Sequence, residues 1–303
     1  MKKSLSLPCG CDTSLKYGFI DSHRKEYPVA RMARTLGVSE SGFYKWSRNK
    51  DCISLKKQED AELTEQIQDI FFGARCSFGS RKITRLVNRG RATPVNHKRI
   101  ERIMRENGWR SRTKKEYVCT TDSDHDLPVA GNLLKRNFTA DGPGQKMVSD
   151  TTEIATAECK LYVAAIMDLY GRMPVGMAVS RHNDRFLVMD ALQDMINRGC
   201  SRKGCIMHSD RGSTYASNEY RKMLKDNGFI CSMSRKGDCW DNAPMECFWG
   251  KMKAEWLKDR YRTAAEARTD IYEYVYAFYP GERIHESLGY RTPREFIKKD
   301  TQK

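Results

Sequence analysis

The sequence predicts an α/β protein: a mixed five-stranded sheet with flanking helices, preceded by small all-α helix-turn-helix units. Three observations carry this. From Lys146 onward, apolar runs of strand length (KMVSDTTEI, KLYVAAIMDLYG, MPVGMAVS) give way to helices and strands in alternation. Upstream, between Asp60 and Gly108, apolar residues recur at helical spacing. Positive charge also gathers there, with 14 Lys and Arg against 3 Glu between Arg75 and Glu116.

The bulk numbers narrow the function classes. At 303 residues there is room for two or three compact units. A net charge of +15 favours a polyanionic partner, and its clustering fits a nucleic-acid surface better than an evenly solvated one. No apolar run approaches the length of a membrane-spanning helix. The opening MKKSLSLPCGCDTS is too broken for a secretory signal. The 11 cysteines are odd in number and scattered, which argues against a secreted disulfide framework and for a reducing cytoplasm.

In chain order, residues 1–18 read as a loose leader, and Cys9 and Cys11 have no second pair at zinc spacing. Residues 19–50 read as a partial helix-turn-helix. Val29, Met32, Ala33 and Leu36 form an apolar stripe, Gly37 breaks it, and Ser39 is placed to cap the next helix. A two-helix packing hairpin is an equal alternative. Residues 58–112 form a basic helix-turn-helix-like domain. Leu63, Ile67 and Ile70 make one stripe. Ile83, Leu86 and Val87 face inward with Arg81, Lys82, Arg85 and Arg89 outward. Ile100, Ile103 and Met104 pack with Lys98, Arg99, Arg102 and Arg105 outward. The outward residues are expected to contact phosphates. Residues 113–143 lack a period and read as a linker, and His125 between Asp124 and Asp126 reads as part of a solvated loop.

Residues 144–300 carry three strands, then helix, strand, helix, strand and helix, the order of an RNase H-like fold. RFLVMDALQDMINRG and SNEYRKMLKDNG are the first two helices, with CIMHSD and ICSMS as the later strands. Carboxylates mark the strand and helix ends: Asp150, Asp210 and Glu246. Glu246 falls in the first turn of a helix that Asp241 or Asn242 would cap and Pro244 would open. Carboxylates at strand ends and on a helix start converge readily in such folds. Three hard oxygen donors suit Mg²⁺ or Mn²⁺ rather than zinc. Taken singly, each acid has a plainer reading as a turn, surface or helix-start residue. Asp168 and Asp241 are competing acids nearby in sequence. His208 shares a strand face with Asp210 and reads either as support for the metal site or as a structural hydrogen-bonding residue. Cys200, Cys205, Cys231, Cys239 and Cys247 make no zinc pattern and read as buried thiols.

The phrases HSDRGS, SMSRKGD and DNAPMECFWGKMKAE, with 35 residues between Asp210 and Glu246, resemble bacterial insertion-sequence transposases with an integrase (DDE) catalytic core. More narrowly, they resemble the downstream-frame product of the two-reading-frame, copy-out/paste-in class. The resemblance runs from about Phe19 to Phe296, and FGSRKI and VNHKRIERIMRENG match its accessory domain. It implies that Asp150, Asp210 and Glu246 are catalytic and hold two Mg²⁺ ions, for which Mn²⁺ substitutes. It implies that Lys253, seven residues after Glu246, faces DNA. Asn242, by its position, reads as orienting the loop before Glu246. The expected activity is 3′-end cleavage and strand transfer during integration of an insertion sequence. The expected partners are element ends and target DNA, a homo-oligomer on that DNA, and an upstream-frame helix-turn-helix segment fused or cooperating. No membrane partner is expected, and the location would be the bacterial cytoplasm at the nucleoid. The closing phrase ERIHESLGYRTPREF matches at Arg283, His285 and Leu288, residues read as packing. Met147, Thr214 and Pro280 depart from the family's usual Trp, Gln and Asn. The competing readings are a metal-dependent nuclease on the same fold, or a DNA-binding repressor with an inert core.

Overall fold

The computed structural model describes residues 12–112, 129–200, 202–235 and 239–300, apart from the side chains of 51–54, 239 and 300. Cys9, Cys11, the Asp124–His125–Asp126 triplet and the Cys239 side chain therefore lie outside the described residues. The chain divides into two compact units, Met1–Gln68 and Asp69–Lys303.

The first unit is helical. α1 (Thr13–His23) begins inside the stretch expected to be a leader. α2 (Val29–Leu36) ends at Gly37, whose φ of 64° is cheap only without a Cβ. Ser39 caps the next helix as expected, its Oγ accepting from the Gly42 N–H at 3.2 Å. Ile20, Met32, Ala33 and Phe43 form the small core. α3 (Glu40–Gly73) then runs for 34 residues without a break and leaves the unit. The boundary expected between residues 50 and 58 falls inside it. No Gly or Pro stands between Trp46 and Phe72, so nothing there stops a helix.

In the second unit, α4 (Ser80–Val87) and α5 (His97–Glu106) pack together and bury Ile83, Val87, Ile100, Ile103 and Met104. Asn96 caps α5 by accepting from the Lys98 N–H at 2.9 Å. Residues 129–143 run beside the sheet with most side chains exposed or half-buried. Leu134 is buried, and the Leu133 N–H donates to Ser232 Oγ at 2.9 Å.

The sheet has five strands: β1 (Lys146–Ala155), β2 (Lys160–Asp168), β3 (Met173–Ser180), β4 (Ile206–Ser209) and β5 (Ile230–Met233). Their spatial order is β3-β2-β1-β4-β5. β1, β2 and β3 form an antiparallel meander, and β1–β4 and β4–β5 pair in parallel. α6 (Arg185–Asn197), α7 (Ser213–Ala216) and α8 (Asn218–Asp226) supply the core on one face. Leu187, Leu192, Met195, Tyr215, Tyr220 and Leu224 pack there with Met147, Ile166, Met207 and Met233 of the strands. This mixed sheet with its flanking helices is the RNase H-like arrangement read from the sequence.

Strand residues alternate between faces. Met147 and Met207 point into this core, so Val148 with Asp150, and His208 with Asp210, belong to the opposite face. α9 (Ala243–Lys251) packs against β1. A 3₁₀ turn (Cys239–Asn242) precedes α9 and a π-helical turn (Met252–Trp256) continues it. The tail holds α10 (Ala264–Glu273), a second π turn (Tyr274–Phe278), α11 (Tyr279–Gly281) and α12 (Pro293–Asp300). Phe248, Trp256, Tyr274, Phe278 and Tyr279 form an aromatic cluster joining tail to α9.

Gly176 of β3 lets α6 lie directly on the sheet. A Cβ at that position would stand 2.8 Å from Met195 Cβ and would overlap the Ala191 carbonyl. Gly176→Ala should lower stability by about 1–3 kcal/mol, the usual cost of overpacking. A urea titration would show it as a lower midpoint at unchanged slope.

Candidate active site

The parallel β1–β4 pairing sets the site. Met147 pairs with Met207 and Val148 with His208. Carrying that register two residues further brings Asp150 level with Asp210, on neighbouring strands about 4.8 Å apart. Asp150 is still held in the ladder on its other side, opposite Ala165 of β2. Asp210 lies just beyond β4. Its Oδ1 accepts from the Gly212 N–H at 2.9 Å. A Cβ at 212 would stand 3.1 Å from that same oxygen, so a side chain there would crowd the carboxylate.

Glu246 comes from the first turn of α9, with Pro244 at the helix start as expected. The expected cap is corrected: no side chain caps α9. Asp241 is wholly buried and instead accepts from Arg235 N (3.0 Å), Arg235 Nε (3.1 Å), Arg136 Nε (3.1 Å) and Asn132 Nδ2 (2.8 Å). The Arg235 side chain is the main reason its pKa falls far below the usual carboxylate range. Asn242 donates its amide to the Ser149 carbonyl at 3.3 Å, which ties the start of α9 to the residue before Asp150.

These acids act on one another. Burial, then Asp210, then Glu246 push the Asp150 carboxyl well above its ordinary range. Burial also raises Glu246. Lys253 is half-buried; burial lowers its pKa, while Glu153 and Asp150 oppose that shift. Lys253 therefore shares the electrostatic field of the acids, reached through the π turn at 252–256. Trp249 was missed by sequence reasoning. Its buried indole N–H lacks a hydrogen-bond partner of good geometry, yet it lies near enough to Asp150 to favour the ionised form. Its spacing of three residues from Glu246, on one helix face, is the signal that marks it.

Other expectations are corrected or resolved. His208 is fully buried, its Nδ1 2.8 Å from Ser232 Oγ and its Nε2 3.2 Å from Ser234 Oγ. Burial pulls its pKa down to about 4, so a neutral, structural ring is what the site holds. Asp168 pairs with Met147 at the far end of β1, accepting from Gly144 N (2.7 Å) and Tyr170 N (3.0 Å). Burial lifts it to about 6, but it belongs to the loops there, not to the acids. Cys205 is buried, Cys200 and Cys231 are half-buried, and Cys247 is exposed.

The basic helices are only partly outward. Arg81, Arg85, Lys98 and Arg105 are exposed, and Arg99 and Arg102 are half-buried. Lys82 turns inward to Glu255 at 3.8 Å, and burial lowers its pKa to about 8. Arg85 lies over the Tyr290 ring at 4.7 Å, and Arg89 pairs with Glu295 at 2.9 Å. The tail residues read as packing do pack. Arg283, 6 % exposed, grips Glu255 through Nε (2.6 Å) and Nη2 (2.8 Å), with His285 beside it.

Asp150, Asp210 and Glu246 are hard oxygen donors, and their mutual repulsion is what a divalent cation relieves, so their chemistry fits one. Among the described residues, no three His, Cys, Asp or Glu side chains are yet arranged to ligate a single ion.

Two outcomes follow from this electrostatics. In chelator at neutral pH, Asp150→Asn should raise the melting temperature by about 2–4 °C, the effect of about 1 kcal/mol in a domain of this size. A carboxyl with a raised folded pKa costs stability above that pKa and is relieved as pH falls through it. The gain should therefore shrink on acidification and in Mg²⁺, as differential scanning calorimetry would record. Arg283→Met should cost about 3–5 kcal/mol by leaving Glu255 buried without its main partner, and the double variant Glu255→Met/Arg283→Met should recover most of it in urea denaturation.

Comparison with known proteins identifies the same modules. Residues 57–117 match the HTH-like domain, and residues 140–239 and 227–293 match two integrase core domain models. The chain is 38% identical over 270 residues to the insertion element IS600 uncharacterized 31 kDa protein of Shigella sonnei, covering 88% of this chain and 98% of that protein. It is 32% identical over 287 residues to transposase InsF for insertion sequence IS3A of Escherichia coli K12, covering 94% and 99%. Among solved structures, the HTLV-2 integrase catalytic core domain in complex with magnesium aligns with a TM-score of 0.39 at 11% identity, over 52% of this chain and 98% of that one. With these relatives matched over nearly their whole length, the chain belongs to the IS3 family of insertion-sequence transposases.

Proposed function

We propose that this transposase cleaves DNA at the 3′ ends of an insertion sequence and joins those ends to target DNA, with Asp150, Asp210 and Glu246 as its catalytic acids. The observation that carries the reading is the β1–β4 register, which sets Asp150 beside Asp210, with Glu246 close enough to perturb Asp150. We assign residues 144–300 as the catalytic core and 58–112 as the DNA-binding domain.

Magnesium is the expected metal, with manganese as a substitute, and a pair of such ions supplies activation of an oxygen nucleophile and neutralisation of the leaving oxygen. Asp150, Asp210 and Glu246 would hold them. The chain's own residues do the rest. Lys253 offers a cation to a phosphate entering beside Asp150 and Glu153. Asn242 keeps α9 against β1, so Glu246 stays over the strand ends. Gly212 leaves room for the Asp210 carboxylate and fixes one of its oxygens. Cleavage adds water across a phosphodiester and frees a 3′-hydroxyl. Joining exchanges one phosphodiester for another, so no external energy source is needed.

The exposed Arg81, Arg85, Lys98 and Arg105, together with Arg99 and Arg102, would bind the phosphates of element ends and target. Two ends must be processed in one event, which supports a homo-oligomer on DNA. An upstream-frame segment, fused or cooperating, would add end recognition. The setting would be chromosomal DNA in the bacterial cytoplasm; among the described residues no helix is long and apolar enough to cross a membrane.

The test uses a branched DNA that mimics an integrated end, with wild type and Glu246→Gln compared in Mn²⁺ and in chelator. Metal-dependent joined product from wild type, reduced at least a hundredfold in the variant, is the expected result. Equal product from Glu246→Gln would overturn the assignment of the acids. DNA binding that is indifferent to metal, with no cleavage or joining by folded protein, would favour a repressor with an inert core.

A further inference from the structure

Trp240 is the most exposed large apolar side chain among the described residues, at 67 %. An indole is usually well covered, because leaving its large apolar surface in water is unfavourable. Its setting makes the exposure more pointed. The next residue, Asp241, is wholly buried, and its carboxylate gathers the Arg235 and Arg136 guanidiniums and the Asn132 amide. The residue after that, Asn242, is tied to the carbonyl preceding Asp150. The turn carrying Trp240 is thus tied through Asp241 and through Asn242, and the ring stands exposed beside these ties. By chain geometry its Cα lies within about 7 Å of that of Asn242, and Glu246 follows six residues on.

The surroundings say what the ring meets. Arg235 and Arg136 bring two positive charges to one carboxylate, and their side chains remain 58 % and 48 % exposed. Arg211, next to Asp210, adds a third guanidinium, which donates to the Ser234 carbonyl. An exposed aromatic ring, next in sequence to the carboxylate that gathers Arg235 and Arg136 and six residues before Glu246, suits a nucleotide: its base on the ring, its phosphates on the guanidiniums. Within a duplex both faces of a base are already stacked. At a DNA end one face is open. Cleavage creates such an end, and the following step requires its 3′-hydroxyl to be held in place.

We infer that Trp240 is a DNA-positioning residue: its indole stacks on the terminal base of the cleaved element end and holds that end's 3′-hydroxyl at the acid cluster for joining. This rests on the reading of Asp150, Asp210 and Glu246 given above. The role belongs to the joining step more than to the first cut, because before cleavage the same base is internal.

The test follows joining by pre-cleaved ends that carry either a normal or an abasic terminal nucleotide, using wild type, Trp240→Ala and Trp240→Phe. Trp240→Ala should slow joining of the normal end about tenfold, the range of one lost base–aromatic stack, and should slow the cutting of flanked DNA less. Trp240→Phe should restore most of the rate. The abasic end should slow wild type to the level of Trp240→Ala and leave Trp240→Ala itself little changed. Effects of ring and base that simply multiply, or equal losses in cutting and joining, would overturn the inference. A second measurement is free of chemistry. With 2-aminopurine as the terminal base, Glu246→Gln protein should quench its fluorescence, and Trp240→Ala/Glu246→Gln should not. Quenching with joining retained in Glu246→Gln would overturn the reading of the acids and keep the stack. Loss of joining in Glu246→Gln without quenching would keep the acids and overturn the stack. Unchanged melting of Trp240→Ala would confirm that the exposed ring is not needed for folding.

Discussion

Like charges brought close together repel, and the rest of the catalytic core is a way of holding them there. Asp150 lies on β1, between the antiparallel β2, where it pairs with Ala165, and the parallel β4, so its backbone is held beside that of Asp210. Asp210 is restrained by the Gly212 amide. Glu246 rides on a helix whose first turn is tied to β1 by Asn242. Each restraint uses backbone hydrogen bonds or a neutral amide. None adds a positive charge that would neutralise the acids directly, and Lys253 contributes from the edge with its own pKa lowered by burial. A divalent cation would relieve the repulsion that raises the Asp150 carboxyl.

The second half of the frame lies in the tail. The two π turns, Met252–Trp256 and Tyr274–Phe278, face each other through stacked aromatics, with Trp256 and Phe278 only 4.3 Å apart between centroids. Glu255, in the first π turn, takes both arms of the Arg283 guanidinium in a buried setting. Such a pair stabilises little by itself, but its geometry is demanding and breaking it is costly. Its effect is to fix the turn that carries Lys253. The closing phrase of the sequence therefore reaches the site through packing, two residues away from the lysine it steadies.

Much of this is legible in the sequence, for identifiable reasons. The strands alternate cleanly or run apolar, and the helices between them carry caps such as Asp184 and Ser217, so their order is readable. The three acids stand in phrases whose spacing is informative. What escapes is whatever depends on a distant element. Lys82 reads as outward because only one apolar stripe is visible on its helix; the Glu255 that turns it inward is 173 residues away. His208 shares a face with Asp210, yet Ser232 of β5 and Ser234 just beyond it claim both its nitrogens. Asp241 looks like a helix cap and is a buried anchor for two arginines. The continuity of α3 is different: no Gly or Pro stands between Trp46 and Phe72, so its unbroken course is written in the residues themselves.

The inward turn of Lys82 and the Arg89–Glu295 pair also alter what the positive charge of the helical region means thermodynamically. DNA binding by such a surface is driven largely by release of the ions condensed on phosphates, and only cations that reach a phosphate release one. Between Arg75 and Glu116 the chain carries 14 Lys and Arg, but those committed to carboxylates of the same molecule start already neutralised. The dependence of affinity on salt then reports chiefly the cations that are not so committed and those that exchange a carboxylate for a phosphate. A chain rich in basic residues is in this way spared much of the indiscriminate attraction to any polyanion that its composition would otherwise impose.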